Sequence, residues 1–265
     1  MTKVVLITGA SAGLGRATAD LLASEGWTVV GASRRGTGGQ GWAGITIDVD
    51  SDESVRAGVA AAIAEHGRID AVVAAAGWGL AGPVEATSID EARAQVETLF
   101  WGVVRVVNEL LPHFREQGGG RIVALSSIGG LIGIPFQAYY SAGKFALEGW
   151  AEAMAYEVAP FDITVTLVEP GNFKTDFTDS RRRAARSLPE YATAYDHAVA
   201  AMEDDERNGA APLDVAKVIS QQLNAKKPRR RISVGKVMER IGLVAKRAVP
   251  MSVFEMLAKD DLGIE

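Results

Sequence analysis

The chain has no cysteine among its 265 residues, which excludes disulfides and any chemistry carried by a thiolate. Histidine is nearly as scarce. His66, His113 and His197 are the three present, too few and too scattered for a metal site. No run of apolar residues reaches the roughly 18 that a membrane-spanning helix requires. A basic excess is also lacking: the formal net charge is -5, so no nucleic-acid partner is expected. The opening M-T-K-V-V-L-I-T-G runs directly into an apolar segment, without the charged start and long apolar core of a signal peptide. Together these absences predict a soluble, cytoplasmic protein without a metal, directed at small molecules.

What is present is an alternation of short apolar runs and helical patterns. Val4–Thr8 is continuous and apolar, as expected of a strand buried on both faces. It leads into Gly9-Ala-Ser11-Ala-Gly13-Leu14-Gly15, after which a helical pattern begins with Ala17, Leu21 and Leu22. Strand, glycine turn and helix start in succession form a cradle for a pyrophosphate. Glycines let the backbone approach, and the helix N-terminus offers free N–H groups and the positive end of its dipole. A second strand, Thr28–Ser33, ends in Arg34-Arg35 and a glycine-rich connection. An acid at that place would receive a ribose 2′-hydroxyl. A serine followed by two arginines suits a 2′-phosphate, so NADP(H) is expected over NAD(H).

Ile45–Val49 reads as a third strand, with Asp48 placed to meet an adenine edge. Residues 51–66 read as a helix capped by Ser51, and Asp70–Ala76 as a fourth strand ending in Gly77. Residues 88–117 read as one long helix, capped by Ser88 and bent near its end by Pro112. Arg121–Ser126 is a fifth strand that delivers Ser127 to its C-terminal end. A helix carrying Tyr140 and Lys144 then runs to about Val158. Ile163–Val168 is a sixth strand, followed by Glu169-Pro170-Gly171; after a helix over 212–223, Arg231–Val234 is the seventh. This order predicts an α/β fold: a Rossmann-type, doubly wound, mostly parallel seven-stranded sheet flanked by helices, in a single domain. Such sheets bind ligands at the carboxyl ends of their strands. Gly9, Arg34, Asp48, Gly77, Ser127 and Pro170 all fall at those ends. Residues 176–209 mix charge with Tyr191 and Tyr195 and are expected to form one or two helices, a substrate lid that excludes water. Residues 236–265 form a helical tail, amphipathic over 236–258 with Lys and Arg interspersed. It is expected to pack on a partner subunit in preference to a membrane surface.

Tyr140 and Lys144 stand four apart and would share one face of a helix. A phenol beside a fixed ammonium has a stabilised anion, so the Tyr140 pKa is expected to fall toward neutrality. That suits proton exchange with an alcohol oxygen. A loop could return the Ser127 hydroxyl to the same point. Trp78, Leu131, Ile132, Ile134 and Phe136 near this centre point to a fairly apolar substrate, or equally belong to the core.

These motifs together resemble the short-chain dehydrogenase/reductase family, over Val4 to about Thr175. Gly9, Gly13 and Gly15 match its T-G-x-x-x-G-x-G loop, and Tyr140 and Lys144 its Y-x-x-x-K motif. Ser127, thirteen residues before the tyrosine, matches its catalytic serine, and Pro170-Gly171 with Thr175 the segment that holds the nicotinamide amide. The stretches Ser127–Leu131, Lys144–Gly149 and Val168–Thr175 are most similar to the branch near 17β-hydroxysteroid and retinol dehydrogenases.

The resemblance implies an NADP(H)-dependent ketoreductase or alcohol dehydrogenase acting on a secondary alcohol or its carbonyl. Tyr140 would be its general acid and base. Lys144 would lower the tyrosine's pKa and bind the nicotinamide ribose, and Ser127 would bind the substrate carbonyl. Cofactor contacts would come from Gly9, Ser11, Gly13, Leu14, Gly15, Ser33, Arg34, Arg35, Asp48, Val49, Ala75, Ala76, Gly77, Tyr140, Lys144, Pro170, Gly171, Phe173 and Thr175. A homodimer or homotetramer is also implied. Two departures stand out. The family's N-N-A-G is here Ala74-Ala-Ala-Gly77, and Leu99 falls where an asparagine usually completes a tetrad and supports a water chain to the lysine. Leu99 keeps open a non-catalytic NADP-binding sensor or scaffold; a dehydratase or epimerase using the same tyrosine is a third reading.

Overall fold

The computed structural model describes residues 2–253 and Met256. In chain order the elements are β1 (Val4–Thr8), α1 (Gly13–Ser24), β2 (Thr28–Ser33), β3 (Ala43–Thr46), α2 (Asp52–His66) and β4 (Ala71–Ala74). A short β5 (Leu80–Ala81) precedes α3 (Ile89–Val96), a π-helical segment (Glu97–Trp101), α4 (Gly102–Glu116), β6 (Gly120–Leu125), α5 (Ala138–Val158) and β7 (Ile163–Pro170). The chain continues through β8 (Arg182–Arg183), α6 (Ala192–Arg207), α7 (Pro212–Asn224), β9 (Arg231–Val234) and α8 (Val237–Ala248).

Among the described residues the main sheet has seven strands in the order β3-β2-β1-β4-β6-β7-β9, and every pairing is parallel. The strands are apolar on both faces because helices cover both. Val4 and Leu6 point into a core shared with α2, α4 and α5, whereas Val5 and Ile7 point into one shared with α1 and α7. That period of two along β1 is what a doubly covered strand requires. The strand order reverses between β1 and β4, so the loops after these strands diverge and leave a crevice.

Local chemistry sets the boundaries. Ser51 caps α2, accepting from the Ser54 N–H at 3.2 Å, and Ser88 forms a full capping box with Glu91 on α3. The fold has no single helix over 88–117. The π-helical turn at Glu97–Trp101 interrupts it, with Leu99 at its centre, and Pro112 sits within α4. An extra residue in a helical turn is a local insertion that a period of 3.6 does not reveal. β3 also stops at Thr46, short of the expected Val49. There the chain turns, and Asp48 N–H donates to Ser54 Oγ at 2.9 Å instead of to a neighbouring strand. Of the expected tail, α8 is helical to Ala248; residues 254–265, Met256 apart, lie outside the described residues. No helix among the described residues is long and apolar enough to cross a membrane.

Candidate active site

The carboxyl ends of the sheet open into one cavity of about 590 Å³. All the residues named above as catalytic or cofactor-binding line it, from Gly9 to Thr175. Its floor is the β1–α1 turn. Gly9 has φ +70°, and a Cβ there would meet the Ala75 carbonyl carbon and Ala76 Cα at 2.8 Å. A Cβ on Gly15 would lie 2.4 Å from Gly9 O. Only glycine allows this packing, which brings the N-terminus of α1 up to the cavity. Thr8 Oγ1 accepts from the Ala75 and Ala76 N–H groups at 3.1 and 3.3 Å, tying β4 to β1 where the two amide side chains are missing.

At the far end Ser33, Arg34 and Arg35 line the cavity. Ser33 Oγ is buried without a partner, and the two guanidinium groups are exposed beside it. A buried hydroxyl needs an acceptor or donor, and a phosphorylated ribose would supply both. The glycine floor, the free Ser33 hydroxyl and the two arginines fit a dinucleotide.

Over the opposite end stand Ser127, Tyr140 and Lys144. Ser127 leaves β6 in extended conformation and caps a 3₁₀ turn, its Oγ accepting from the Gly129 N–H at 3.0 Å. Its hydroxyl donates to Pro170 O at 3.4 Å and hydrogen-bonds the Tyr140 phenol. Tyr140 and Lys144 lie one turn apart on α5, and Lys144 Nζ is 5.9 Å from the tyrosine ring centre. Lys144 Nζ donates to Leu125 O at 2.7 Å. Burial presses its pKa down to about 8, opposed by the charge of Glu148.

The expected fall in the Tyr140 pKa is not what this geometry gives. Burial raises it; the Ser127 hydrogen bond lowers it, Glu206 raises it and Arg181 lowers it. Desolvation outweighs the hydrogen bond from Ser127.

One wall of the cavity comes from the 176–209 segment, through residues the sequence had not marked as lining it. Phe177 meets the Tyr140 ring edge-on at 6.0 Å, and Phe177, Ser180, Arg182 and Glu206 line the cavity. Glu206 pairs with Arg181, whose side chain is 1% exposed, and accepts from Thr178 Oγ1 at 2.7 Å. The segment contains β8, which pairs with β5, and the single long helix α6. Trp78 lines the cavity as expected, but Leu131, Ile132, Ile134 and Phe136 do not. Ile134 and Phe136 pack instead on Ala198, Val199 and Met202 of α6. Leu99 lines the cavity, buried against Gly77 and Gly143.

Residues 3–186 match the family model for short chain dehydrogenases. The chain is 38% identical over 256 residues to a 3-ketodihydrosphingosine reductase of Bacteroides thetaiotaomicron, covering 96% of this chain and 95% of the relative. It is 34% identical to retinol dehydrogenase 8 of Bos taurus, over 85% and 79% of the two chains. Among solved structures, a short-chain dehydrogenase from Streptomyces avermitilis superposes with a TM-score of 0.85 at 31% identity, over 98% of both chains.

Proposed function

The chain belongs to the short-chain dehydrogenase family, and from that premise we propose that it is an NADP(H)-dependent ketoreductase acting on a fairly apolar ketone and its secondary alcohol. The observation that carries the reading is the hydrogen bond between Ser127 and a part-buried Tyr140 at one end of a cavity whose other end presents Ser33, Arg34 and Arg35. The bound nicotinamide would supply the hydride.

The chain's own residues do the rest. The glycine turn from Gly9 to Gly15 would hold the pyrophosphate, Arg34 and Arg35 the 2′-phosphate, and Pro170, Gly171, Phe173 and Thr175 the nicotinamide end. Ser127 Oγ would donate to the carbonyl oxygen as negative charge develops there. Tyr140 would protonate that oxygen. Its raised pKa keeps the phenol protonated, which favours the direction of reduction. Lys144, titrating near 8, is a nearby reservoir for the proton lost. Phe177, Trp78 and the lid helix α6 would exclude water and offer an apolar wall. The relative named for 3-ketodihydrosphingosine supports a ketone borne on a long alkyl chain.

The test is to follow the near-ultraviolet absorbance of reduced nicotinamide with NADPH or NADH and a panel of long-chain ketones. NADPH should be oxidised in preference, and Tyr140→Phe should slow the reaction by about 10²-fold or more. Cofactor binding without oxidation, equal in the parent and in Tyr140→Phe, would instead identify a sensor, the reading that Leu99 keeps in view.

A further inference from the structure

Ketone reduction consumes a proton at Tyr140, and the wall behind Leu99 is a poor source of one. Leu99 is 1% exposed, and Gly77 and Gly143 crowd it closely enough that a Cβ on either would come within 3.3 Å of its side chain. An aliphatic side chain there neither donates nor accepts. On the other side of Lys144 the interior is polar. Glu148, one turn along α5, and Glu169, near the end of β7, are both buried. Glu148 Oε2 accepts from Arg231 Nε at 3.1 Å, and Glu169 Oε2 accepts from Ser233 Oγ at 2.5 Å. Arg231 also pairs with Glu152 at 2.7 Å, and its side chain is 37% exposed.

Three buried oxygens in this cluster lack a hydrogen-bond partner: Ser126 Oγ, Glu148 Oε1 and Glu169 Oε1, the last of which lies 3.9 Å from Arg231 Nε. Ser126 and Glu148 flank the same loop glycine, for a Cβ on Gly130 would meet Ser126 Oγ at 2.8 Å and Glu148 Cγ at 3.2 Å. Ser126 also lines the catalytic cavity. Its hydroxyl is near enough to favour the Glu148 anion without completing an aligned hydrogen bond.

We propose that Glu148, with Ser126 and Glu169, is a proton relay that resupplies Lys144 and, through it, Tyr140 from the Arg231 edge of the sheet. The proposal rests on the ketoreductase reading. The ketone carbon takes the hydride, and its oxygen takes the proton of Tyr140 Oη. The phenolate regains a proton from Lys144 Nζ, the neutral amine regains one from the Glu148 carboxyl, and solvent beside Arg231 restores the carboxyl. One solvent proton is consumed per turnover, and no electrons move beyond the hydride pair.

The groups facing Glu148 are Lys144 and Glu152 from α5, Ser126 beyond β6, Glu169 from β7 and Arg231 from β9. Three carboxylates around one guanidinium favour retention of a proton on one of them. Burial raises the Glu148 pKa first; the Ser126 hydroxyl lowers it, Glu169 raises it and Arg231 lowers it. Two or three polar partners are also what one buried bridging water requires, which would join Ser126 Oγ and Glu148 Oε1.

The experiment compares the full chain with Glu148→Gln, Glu148→Asp, Leu99→Asn and the Glu148→Gln/Leu99→Asn double variant. Glu148→Gln should lower kcat for NADPH-dependent ketone reduction about tenfold, flatten its pH profile and enlarge the solvent deuterium isotope effect. NADPH affinity, read by fluorescence titration, should stay as in the parent. Glu148→Asp should retain part of the rate, and Leu99→Asn should restore the Glu148→Gln variant by opening the other route. Independently of turnover, the infrared band of a buried carboxyl should titrate above the ordinary carboxylate range in the parent and be absent in Glu148→Gln. An unchanged pH profile and isotope effect in Glu148→Gln, or no such band in the parent, overturns the relay. A loss of NADPH affinity and melting temperature in step with the rate would show a structural role and overturn it equally. A parent that reduces no ketone refutes the ketoreductase reading, whereas the infrared band still decides whether Glu148 holds a proton.

Discussion

Replacing Lys144 by methionine should stabilise the protein at neutral pH while abolishing turnover. Lys144 is 5% exposed, and burial lowers its pKa from 10.5 to about 8. At about 1.4 kcal/mol for each tenfold change in proton affinity, holding the ammonium inside costs roughly 3 kcal/mol at pH 7. Methionine has nearly the same length, leaves no large void and carries no charge. It forfeits the 2.7 Å hydrogen bond to Leu125 O, worth about 1 kcal/mol. The balance favours Lys144→Met by about 2 kcal/mol, several degrees in melting temperature for a chain of this size.

The pH dependence separates this account from simple repacking. The lysine's folded pKa lies below its unfolded one, so between about 8 and 10.5 the unfolded chain binds more protons than the folded one. Relative to Lys144→Met, the parent therefore gains stability as pH rises through that window, and the full penalty is present below it. Urea unfolding of both proteins at pH 7, 9 and 10.5 measures the difference directly. A Lys144→Met variant that is less stable at pH 7, or a gap that does not change with pH, refutes a buried, strained ammonium.

Three further outcomes follow from other parts of the site. Gly9→Ala should abolish NADPH binding in a fluorescence titration and cost a few kcal/mol of stability, because its Cβ would press on Ala75 and Ala76 from a left-handed backbone. Arg34→Ser with Arg35→Ser should weaken NADPH by about tenfold or more and leave NADH little changed, as steady-state KM values would show. Arg181→Met should destabilise the chain by about 2–3 kcal/mol in denaturant unfolding, because the part-buried Glu206 would keep only the Thr178 hydroxyl as a partner. Adding Glu206→Met should recover most of that loss.

The fold and the centre of the site were legible for one reason: their signals are local. A glycine turn between an apolar strand and a helix, and a tyrosine one turn from a lysine, each lie within a few residues. The apolar runs of β1, β2, β4, β6 and β7 read as strands without reference to a partner, and β1 as one buried on both faces. What remained illegible depends on residues far apart in sequence. Arg181 meets Glu206 across 25 positions, and Arg231 meets Glu148 across 83, and neither pairing leaves a mark on periodicity or composition. The π-helical turn at Glu97–Trp101 escaped for a different reason, since every residue in it is compatible with an ordinary helix. The same limit explains Ile134 and Phe136. They read as pocket because they precede Tyr140, yet their partners are on α6, a helix whose docking only the tertiary structure reveals.

Leu99 shows most clearly how the two kinds of information combine. Taken alone it marks a missing hydrogen-bonding group, and a missing group points toward lost function. In the folded chain the interior is not uniformly apolar around Lys144: Leu99 itself presents only aliphatic surface, while the Ser126 side carries two buried carboxyls and three oxygens without a hydrogen-bond partner. Each buried carboxylate without full pairing weighs against stability, so two of them beside a buried lysine call for a functional account. A proton route to Tyr140 supplies that account, and Leu99 then moves the route of supply without removing the need for it.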